Sequence, residues 1–247
     1  MRLRWLTIAI AGVIACGSFG TTPTDTTDGG TVPDSASSAF CANVPAEAFC
    51  ADFEHTGEVQ FGWSKLATTD NSSVTFVPGE GSFGRAARAF VPADATSEAC
   101  RRAHLAYKSQ AQTTRVHASW SYKLVDDGRA VMARVGHDRG CTVSVLLGSN
   151  PTAFVETDPS GTIDSSATRP LGMPHPLGRW IRGSVDVDFE TSSYTVKLDH
   201  LPGPIEGPIP RSCRRSDHAL TFIGLHCAPP GNDQIEVHVD EIVIAPR

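Results

Sequence analysis

The stretch 116–124, VHASWSYKL, places an apolar residue at every second position. His, Ser and Lys fill the positions between them, which is the period-two pattern of a strand with one buried face and one solvated face. The same alternation recurs in residues 181–189 and 194–198, and again in 220–225 and 235–244. No long stretch shows the spacing of an amphipathic helix. The pattern predicts an all-β domain, built as an antiparallel two-sheet sandwich or jelly roll.

Turn residues and changes of parity predict how these strands connect. Residues 126–128, DDG, are typical of a hairpin turn, and residues 191–193, TSS, separate two alternating runs in the same way. In the last run the apolar positions change face between Val239 and Ile242. Because a strand keeps one buried face only while its period of two is unbroken, we predict a β-bulge near residues 240–241.

The composition excludes some classes of function. The chain has 247 residues, is 40% hydrophobic and carries a net charge of −6, from 21 Lys and Arg against 27 Asp and Glu. That apolar content is sufficient for a folded core. Because no run of basic residues occurs, we expect no nucleic-acid partner.

The amino-terminal segment has the pattern of an export signal. Arg2 and Arg4 precede the uncharged apolar run 6–15, which is too short to span a bilayer as a helix. Small residues then lead to Cys16, and the four residues ending there resemble a bacterial lipobox. We therefore predict a lipoprotein signal peptide at 1–15 and a lipid on Cys16. The alternative is a plain signal peptide with an incidental cysteine.

The residues that follow predict a membrane-tethered domain. Residues 16–39 combine the lipidated cysteine with a Thr/Ser/Gly/Pro/Asp-rich stretch that has too few apolar side chains to fold. Residues 40–247 form the single β-sandwich domain. Residue 17 is Gly rather than Asp, which favours an outer-membrane location, on the periplasmic or the cell-surface side.

Six cysteines remain after Cys16, and an even number in an exported chain predicts disulfides. They are Cys41, Cys50, Cys100, Cys141, Cys213 and Cys227. Six cysteines allow about 15 pairings. Pairing each cysteine with its neighbour in the chain would give 41–50, 100–141 and 213–227. The spacing does not match a zinc site.

Three short motifs resemble exported concanavalin A-like lectin and glucanase domains, the laminin-G-like jelly rolls. They are residues 49–54, FCADFE, with the Gly-Trp pair at 62–63; the alternating segments 179–190 and 194–199; and the closing VDEI at 239–242. His200 stands where that family usually has Gly. The resemblance implies a jelly roll, in a family whose members include lectins, adhesion modules, glucanases and lyases.

The resemblance also suggests catalytic residues. Glucanases of this kind carry Glu-x-Asp-x-Glu on a strand, and this chain has Asp186, Asp188 and Glu190 at that spacing. Retaining hydrolysis needs two carboxyl groups about 5.5 Å apart. Strand residues four apart have Cα atoms about 13 Å apart, and Asp186 is one methylene shorter than Glu. The residues therefore favour an acidic solvent face over a catalytic group.

A binding role fits the sequence better than catalysis. Trp120 has the parity of core residues, whereas Trp180 shares the parity of Asp186 and Asp188 and could stack against a sugar. We predict a non-catalytic recognition domain for glycan or envelope polymer, with Trp180, Asp186 and Asp188 as its binding site. A glycan hydrolase or lyase using Asp186, Asp188 and Glu190, and a purely structural lipoprotein, are the alternatives. No cofactor is expected, although Ca²⁺ bound by carboxylates stays open, as does the oligomeric state.

Overall fold

A computed structural model describes residues 40–247 except 55–56, 70, 82–83, 94–99, 149, 158–161 and 229–232. The predicted signal peptide, Cys16 and the tether lie outside the described residues. Within the described residues the chain forms a short 3₁₀ helix, Cys41–Asn43, and fifteen strands. No helix there has the length and apolarity to cross a bilayer.

The strands follow one another along the chain with short connections. They are β1 (Phe49–Ala51), β2 (Lys65–Thr68), β3 (Ser73–Pro78), β4 (Arg85–Val91), β5 (Arg101–Thr113), β6 (Arg115–Leu124), β7 (Val131–His137), β8 (Thr142–Leu146), β9 (Thr152–Glu156), β10 (Ile163–Pro170), β11 (Trp180–Asp188), β12 (Ser193–Leu198), β13 (Ile205–Pro208), β14 (Asp217–Ala228) and β15 (Ile235–Pro246).

The strands form two antiparallel sheets that pack as a sandwich, which confirms the predicted fold class. Sheet A has the order β13-β12-β11-β6-β15-β4-β3, with β1 also paired to β15. Sheet B has the order β10-β9-β8-β7-β14-β5-β2. The alternation in 116–124 becomes β6 in the middle of sheet A. Trp120 on that strand is 2% exposed, so its predicted core position is also confirmed.

Two of the predicted connections are confirmed. β11 pairs with β12 across the turn at 191–193. In β15 the pairing with β6 shifts register between Asp240 and Val243, and Glu241 has φ 51°. This is the predicted bulge, and it lets the apolar residues on both sides of it face the core.

The predicted hairpin at 126–128 is wrong. This segment leaves β6 in sheet A and enters β7 in sheet B, and the two strands are not paired. The sheets of a sandwich lie about 10 Å apart, a distance that the connection from Leu124 to Val131 is long enough to cross. The turn residues therefore lie in a connection from sheet A to sheet B, and not in a hairpin between paired strands of one sheet.

The six cysteines form three disulfides, as predicted, but only one of the neighbouring pairs is correct. Cys41 is bonded to Cys50. The other bonds are Cys100–Cys227 and Cys141–Cys213, so pairing by proximity in the chain is wrong for both. The reason is the strand order, because β5 lies beside β14 in sheet B and Arg101 is opposite Ala228. Sheet topology thus brings together cysteines that are far apart in sequence.

Candidate functional site

The outer face of sheet B carries a compact group of polar and aromatic side chains. From Ala133 to Val135 on β7 and from Ala219 to Leu225 on β14 the core-facing residues stand at odd positions, so the even positions there point away from the sandwich. These even positions hold Arg134 on β7 and Phe222 on β14, and His226 is stacked on Phe222. His104 on β5 lies opposite Gly224 and therefore shares the face. Alternation along each strand, together with the pairing of β7, β14 and β5, brings these four side chains to one surface.

Arg134 is the centre of this group. Its Nε donates to Thr142 Oγ1 at 2.7 Å, and Nη2 lies 2.9 Å from a carboxylate oxygen of Glu156. Its Nη1 lies 3.2 Å from His226 Nε2. Ser144 Oγ donates to the carboxylate of Glu156 at 2.6 Å. Arg134 and Glu156 are 8% and 6% exposed, so this ion pair is held away from most of the solvent.

Three rings pack against one another beside the guanidinium. His226 is stacked on Phe222, with ring centroids 4.6 Å apart, and meets His104 edge-on at 4.8 Å. The guanidinium carbon of Arg134 lies 5.7 Å from the centroid of Phe222. His104 is 3% exposed, whereas His226 and Phe222 are only half-buried. Of the two imidazoles, His226 is therefore the one that a ligand could reach.

The contact with Arg134 determines the tautomer of His226. A guanidinium N–H can only donate, so Nε2 of His226 accepts and the proton of the neutral ring is on Nδ1. Nδ1 of His226 and Nδ1 of His104 are both buried with no hydrogen-bond partner among the described residues. The lone pair at Nε2 of His226 therefore points at a cation, where an acidic ligand would compete for the guanidinium.

Both imidazoles are neutral at physiological pH. Burial lowers the pKa of His104 to about 4, and the charge of Arg102 acts in the same direction. Burial also lowers the pKa of His226 to about 3, with further contributions from His104 and Arg134. A histidine surrounded by cations and withdrawn from water stays unprotonated at the accepting nitrogen, which is a requirement for a general base.

The same face has cations at its border. Lys65 on β2 lies opposite Ala106, and Lys108 on β5 lies opposite Leu220, so both side chains share the outer face with Arg102. All three are exposed, and Lys108 pairs with Asp138 at 2.5 Å. The net charge of the whole chain is −6. The exposed cations at this border suit an anionic ligand.

The neutral histidines predict a loss of stability in acid. His104 has an ordinary pKa of 6.5 when unfolded and a pKa of about 4 when folded, so the unfolded chain takes up the proton first. The stability it contributes is complete above the unfolded pKa and falls as pH drops from 6.5 to about 4. We expect a loss of about 1.4 kcal/mol per pH unit from this residue, measured as the free energy of unfolding in urea. An unchanged pH dependence in His104→Gln would contradict this.

The disulfide Cys100–Cys227 connects the strands that carry the two histidines. Cys100 directly precedes β5, and Cys227 follows His226. We expect the double change Cys100→Ala/Cys227→Ala to lower the free energy of unfolding by about 2–5 kcal/mol, because the bond closes a long loop. The matched control is Cys41→Ala/Cys50→Ala, whose cysteines are 9 residues apart instead of 127. Equal losses in the two variants, measured by urea unfolding, would show that loop length is not the cause.

The carboxylates predicted from the sequence lie on the other sheet. Asp186 accepts a hydrogen bond from His117 Nδ1 at 2.9 Å, and this bond lowers the pKa of Asp186. Asp188 accepts the backbone N–H groups of Glu190 and Thr191, at 3.0 and 2.9 Å. Glu190 lies in the turn beyond the end of β11. Asp186 and Asp188 thus serve strand pairing and the turn, and their catalytic or binding role stays a prediction.

Trp180, the predicted platform for a sugar, begins β11 in sheet A and is half-buried. It lines a cavity on the outer side of this sheet, together with Arg182, Asp199 and Glu241. Neither Asp186 nor Asp188 lines that cavity. The structure therefore separates the predicted tryptophan from the two carboxylates predicted to act with it.

Sequence reasoning missed the group around Arg134. The alternation of β7 contains the signal, because an arginine stands between Ala133 and Val135 on a strand in which every residue is buried. A buried cation requires a partner, but nothing local indicates Glu156 on β9. Within the described residues, no set of three or more His, Cys, Asp or Glu side chains is arranged to hold a metal ion.

Comparisons with known proteins relate the chain through its fold. No protein-family model matches the sequence, and no curated protein does. A glucuronan lyase from the fungus Trichoderma reesei superposes with a TM-score of 0.58 at 12% identity, over 81% of this chain and 95% of that one. The alginate lyase vAL-1 from Chlorella virus gives 0.52 at 7% identity, over 75% and 93%.

A third solved structure agrees with these two. The alginate lyase A1-II′, of polysaccharide lyase family 7, has a TM-score of 0.51 at 11% identity, over 69% of this chain and 82% of that one. Likeness at such low identity identifies the fold alone. The chain is a jelly-roll β-sandwich of the architecture found in these polysaccharide lyases, which is related to the concanavalin A-like folds.

Proposed function

We propose that the protein is a polysaccharide lyase that cleaves a uronate-containing polymer on the outer face of sheet B. The observation that carries the proposal is the position of Arg134 Nη1 3.2 Å from Nε2 of a neutral, half-buried His226. Eliminative cleavage of a uronate needs a cation to neutralise the carboxylate and a base to remove the proton beside it. The likeness in fold to a glucuronan lyase and to alginate lyases supports this assignment.

The proposed reaction begins when the substrate replaces the contact between Arg134 and His226. A substrate carboxylate takes the guanidinium N–H that His226 now accepts, which releases the lone pair on Nε2. The bound carboxylate also raises the pKa of His226, because a negative charge nearby favours the imidazolium. His226 then removes the C5 proton, the C4–O4 bond breaks and a C4=C5 double bond forms. The imidazolium returns its proton to O4, so protons and electrons balance.

The other side chains of the face hold this pair and attract the polymer. His104 packs against His226 and limits its rotation, and Glu156 holds the guanidinium through Nη2. Lys65 and Arg102 lie at the border, where successive uronate units of an extended chain would pass. These residues position the reacting groups, and the reaction itself is assigned to Arg134 and His226.

The test is an assay of the full chain, purified in detergent, with alginate, polyglucuronate and a neutral β-glucan. The unsaturated uronate product absorbs in the ultraviolet, so its appearance distinguishes a lyase from a hydrolase. We expect product from at least one polyuronate and none from the neutral glucan. Binding of polyuronate without product would instead support the non-catalytic recognition role. Failure to bind alginate and polyglucuronate would reject both the lyase and the recognition role on polyuronate.

The comparisons favour this glycan-cleaving function over the non-catalytic role that the sequence alone favoured. The hydrolase version of the alternative, with Asp186, Asp188 and Glu190, gains no support, because Asp186 is hydrogen-bonded to His117 on the neighbouring strand and Asp188 to the backbone of the turn. A variant such as Glu190→Gln is therefore expected to retain full activity on polyuronate in the ultraviolet assay. A large loss would move the active site to sheet A.

We further propose that the lyase is exported and lipid-anchored through Cys16 to a bacterial outer membrane, with residues 16–39 as the tether. The small residues before Cys16 support this, as does the pairing of the other six cysteines in disulfides. In bacteria grown with labelled palmitate, the wild-type chain should carry label and sediment with membranes. Cys16→Ser should carry none. Equal labelling of both chains would contradict the proposal.

A further inference from the structure

A groove crosses the outer face of sheet A, on the opposite side of the sandwich from the proposed lyase site. One cavity of about 360 Å³ is lined by Trp180, Arg182, Asp199 and Glu241, among others. A second cavity of about 140 Å³ shares Arg182 and Glu241 with the first and adds Phe40. An aromatic side chain therefore lines each cavity, and the charged pair Arg182–Glu241 belongs to both.

Glu241 occupies an unusual position for an acidic residue. It lies in the bulge of β15 with φ 51°, in the left-handed region that side chains other than glycine avoid. Its carboxylate accepts hydrogen bonds from Ser121 Oγ at 2.6 Å and from Arg182 Nη2 at 3.2 Å, and the residue is 6% exposed. A strained backbone that places a carboxylate at the base of a cavity is typical of a functional site.

The walls of the groove are held in place by contacts around them. The side chain of Trp180 hydrogen-bonds to Glu80, and Lys123 Nζ lies 5.9 Å from the centroid of the indole ring. Lys123 also forms an ion pair with Glu80. Arg182, in contrast, has a side chain that is 70% exposed, and Asp199 is exposed as well. The aromatic wall is thus positioned in advance, while polar groups remain accessible to a ligand.

We propose that this groove binds a neutral glycan, with hexose rings stacked on Trp180 and Phe40. A pyranose offers an apolar C–H face to an aromatic ring, and its neighbouring hydroxyls suit a carboxylate and a guanidinium side by side. Glu241 and Asp199 disfavour an anionic sugar, so the ligand differs from the uronate polymer of sheet B. The proposal is independent of the lyase assignment and gives the protein a second polysaccharide contact.

The test uses the full chain in detergent and three probes: cellohexaose, laminarihexaose and mannohexaose. Trp63 and Trp120 are 9% and 2% exposed, whereas Trp180 is half-buried and lines the groove, so the tryptophan fluorescence should respond to a ligand stacked there. We expect saturable binding of at least one probe, with affinity reduced about ten-fold or more in Trp180→Ala and in Arg182→Ala. Titration calorimetry measures these affinities, because Trp180→Ala lacks the fluorescent reporter. The matched control is Arg179→Ala, since Arg179 is exposed next to Trp180 but lines neither cavity.

Each outcome bears on the proposal. Binding that is lost in Arg182→Ala and retained in Arg179→Ala supports it, even if Trp180→Ala does not fold. Displacement of the bound hexasaccharide by oligoalginate would place both ligands on one face and overturn it. No binding of any of the three probes by the folded protein would also overturn it, whatever the lyase assay shows.

Discussion

Replacing His226 by alanine is expected to lower kcat on a polyuronate by about 10²–10⁴-fold, the usual contribution of a positioned general base. The change removes the Nε2 atom that lies 3.2 Å from Arg134, and with it the group that accepts the C5 proton. The fold should survive, since His226 is half-buried and Phe222 still covers the face. Initial rates of ultraviolet absorbance increase measure the effect.

His218 provides the matched control for this change. It is a half-buried histidine on the same strand and the same face, and its Nδ1 lies 3.1 Å from the backbone carbonyl of Ser109 rather than near Arg134. His218→Ala should therefore keep kcat within about three-fold of wild type, as expected of a change outside the reacting groups. A similar loss in both variants would show that the strand, rather than the base, determines the rate.

The second large effect is expected from Arg134→Ala, on stability as well as on activity. The change leaves the carboxylate of Glu156, 6% exposed, without its cation, and breaking a buried pair in this way costs about 3–5 kcal/mol. Urea unfolding should show this loss. Activity should disappear too, because no cation is left to neutralise the uronate.

A second substitution separates the two effects. In Arg134→Met/Glu156→Gln no charge is buried, Ser144 Oγ still has a hydrogen-bond acceptor, and the methionine fills part of the arginine's volume. The free energy of unfolding should return to within about 1–2 kcal/mol of wild type, since a buried pair is often replaced at little cost. Activity should stay absent. A double variant that recovers both stability and turnover would show that Arg134 is structural only.

The alternation of apolar and polar residues was sufficient to predict the strands in which that alternation is strict. The runs at 116–124 and 181–189 became β6 and β11, and the parity change in the last run located the bulge at Glu241. β5 was missed, because in Arg101–Thr113 charged and polar residues occupy most of one parity and small residues much of the other. Few large apolar side chains therefore mark its core-facing positions, and the strand also has buried residues on its outer face, so its apolar pattern is weak.

The site could not be predicted because its residues are far apart in sequence. His104 and His226 meet only because β5 and β14 are neighbours in sheet B, and Arg134 meets Glu156 only because β7, β8 and β9 are consecutive there. No feature of one segment specifies which strand lies beside it. The acidic motif at 186–190 could be recognised because its residues are close in sequence, but in the structure Asp186 is hydrogen-bonded to His117 on the neighbouring strand and Asp188 to the backbone of the turn.

The disulfide connectivity has a consequence for how the protein matures in the cell. The Cys141–Cys213 bond is nested inside Cys100–Cys227. Cys100 can therefore form its native bond only after Cys227, 127 residues further along the chain, is available. In the export proposed above, which would proceed amino end first, Cys100 would meet Cys141 long before Cys227 crossed the membrane. A bond made in order of arrival would therefore be non-native, and only thiol–disulfide exchange could correct it. The proposed export would therefore require a compartment that exchanges disulfides as well as one that oxidises thiols, so that the face carrying His104 and His226 assembles correctly.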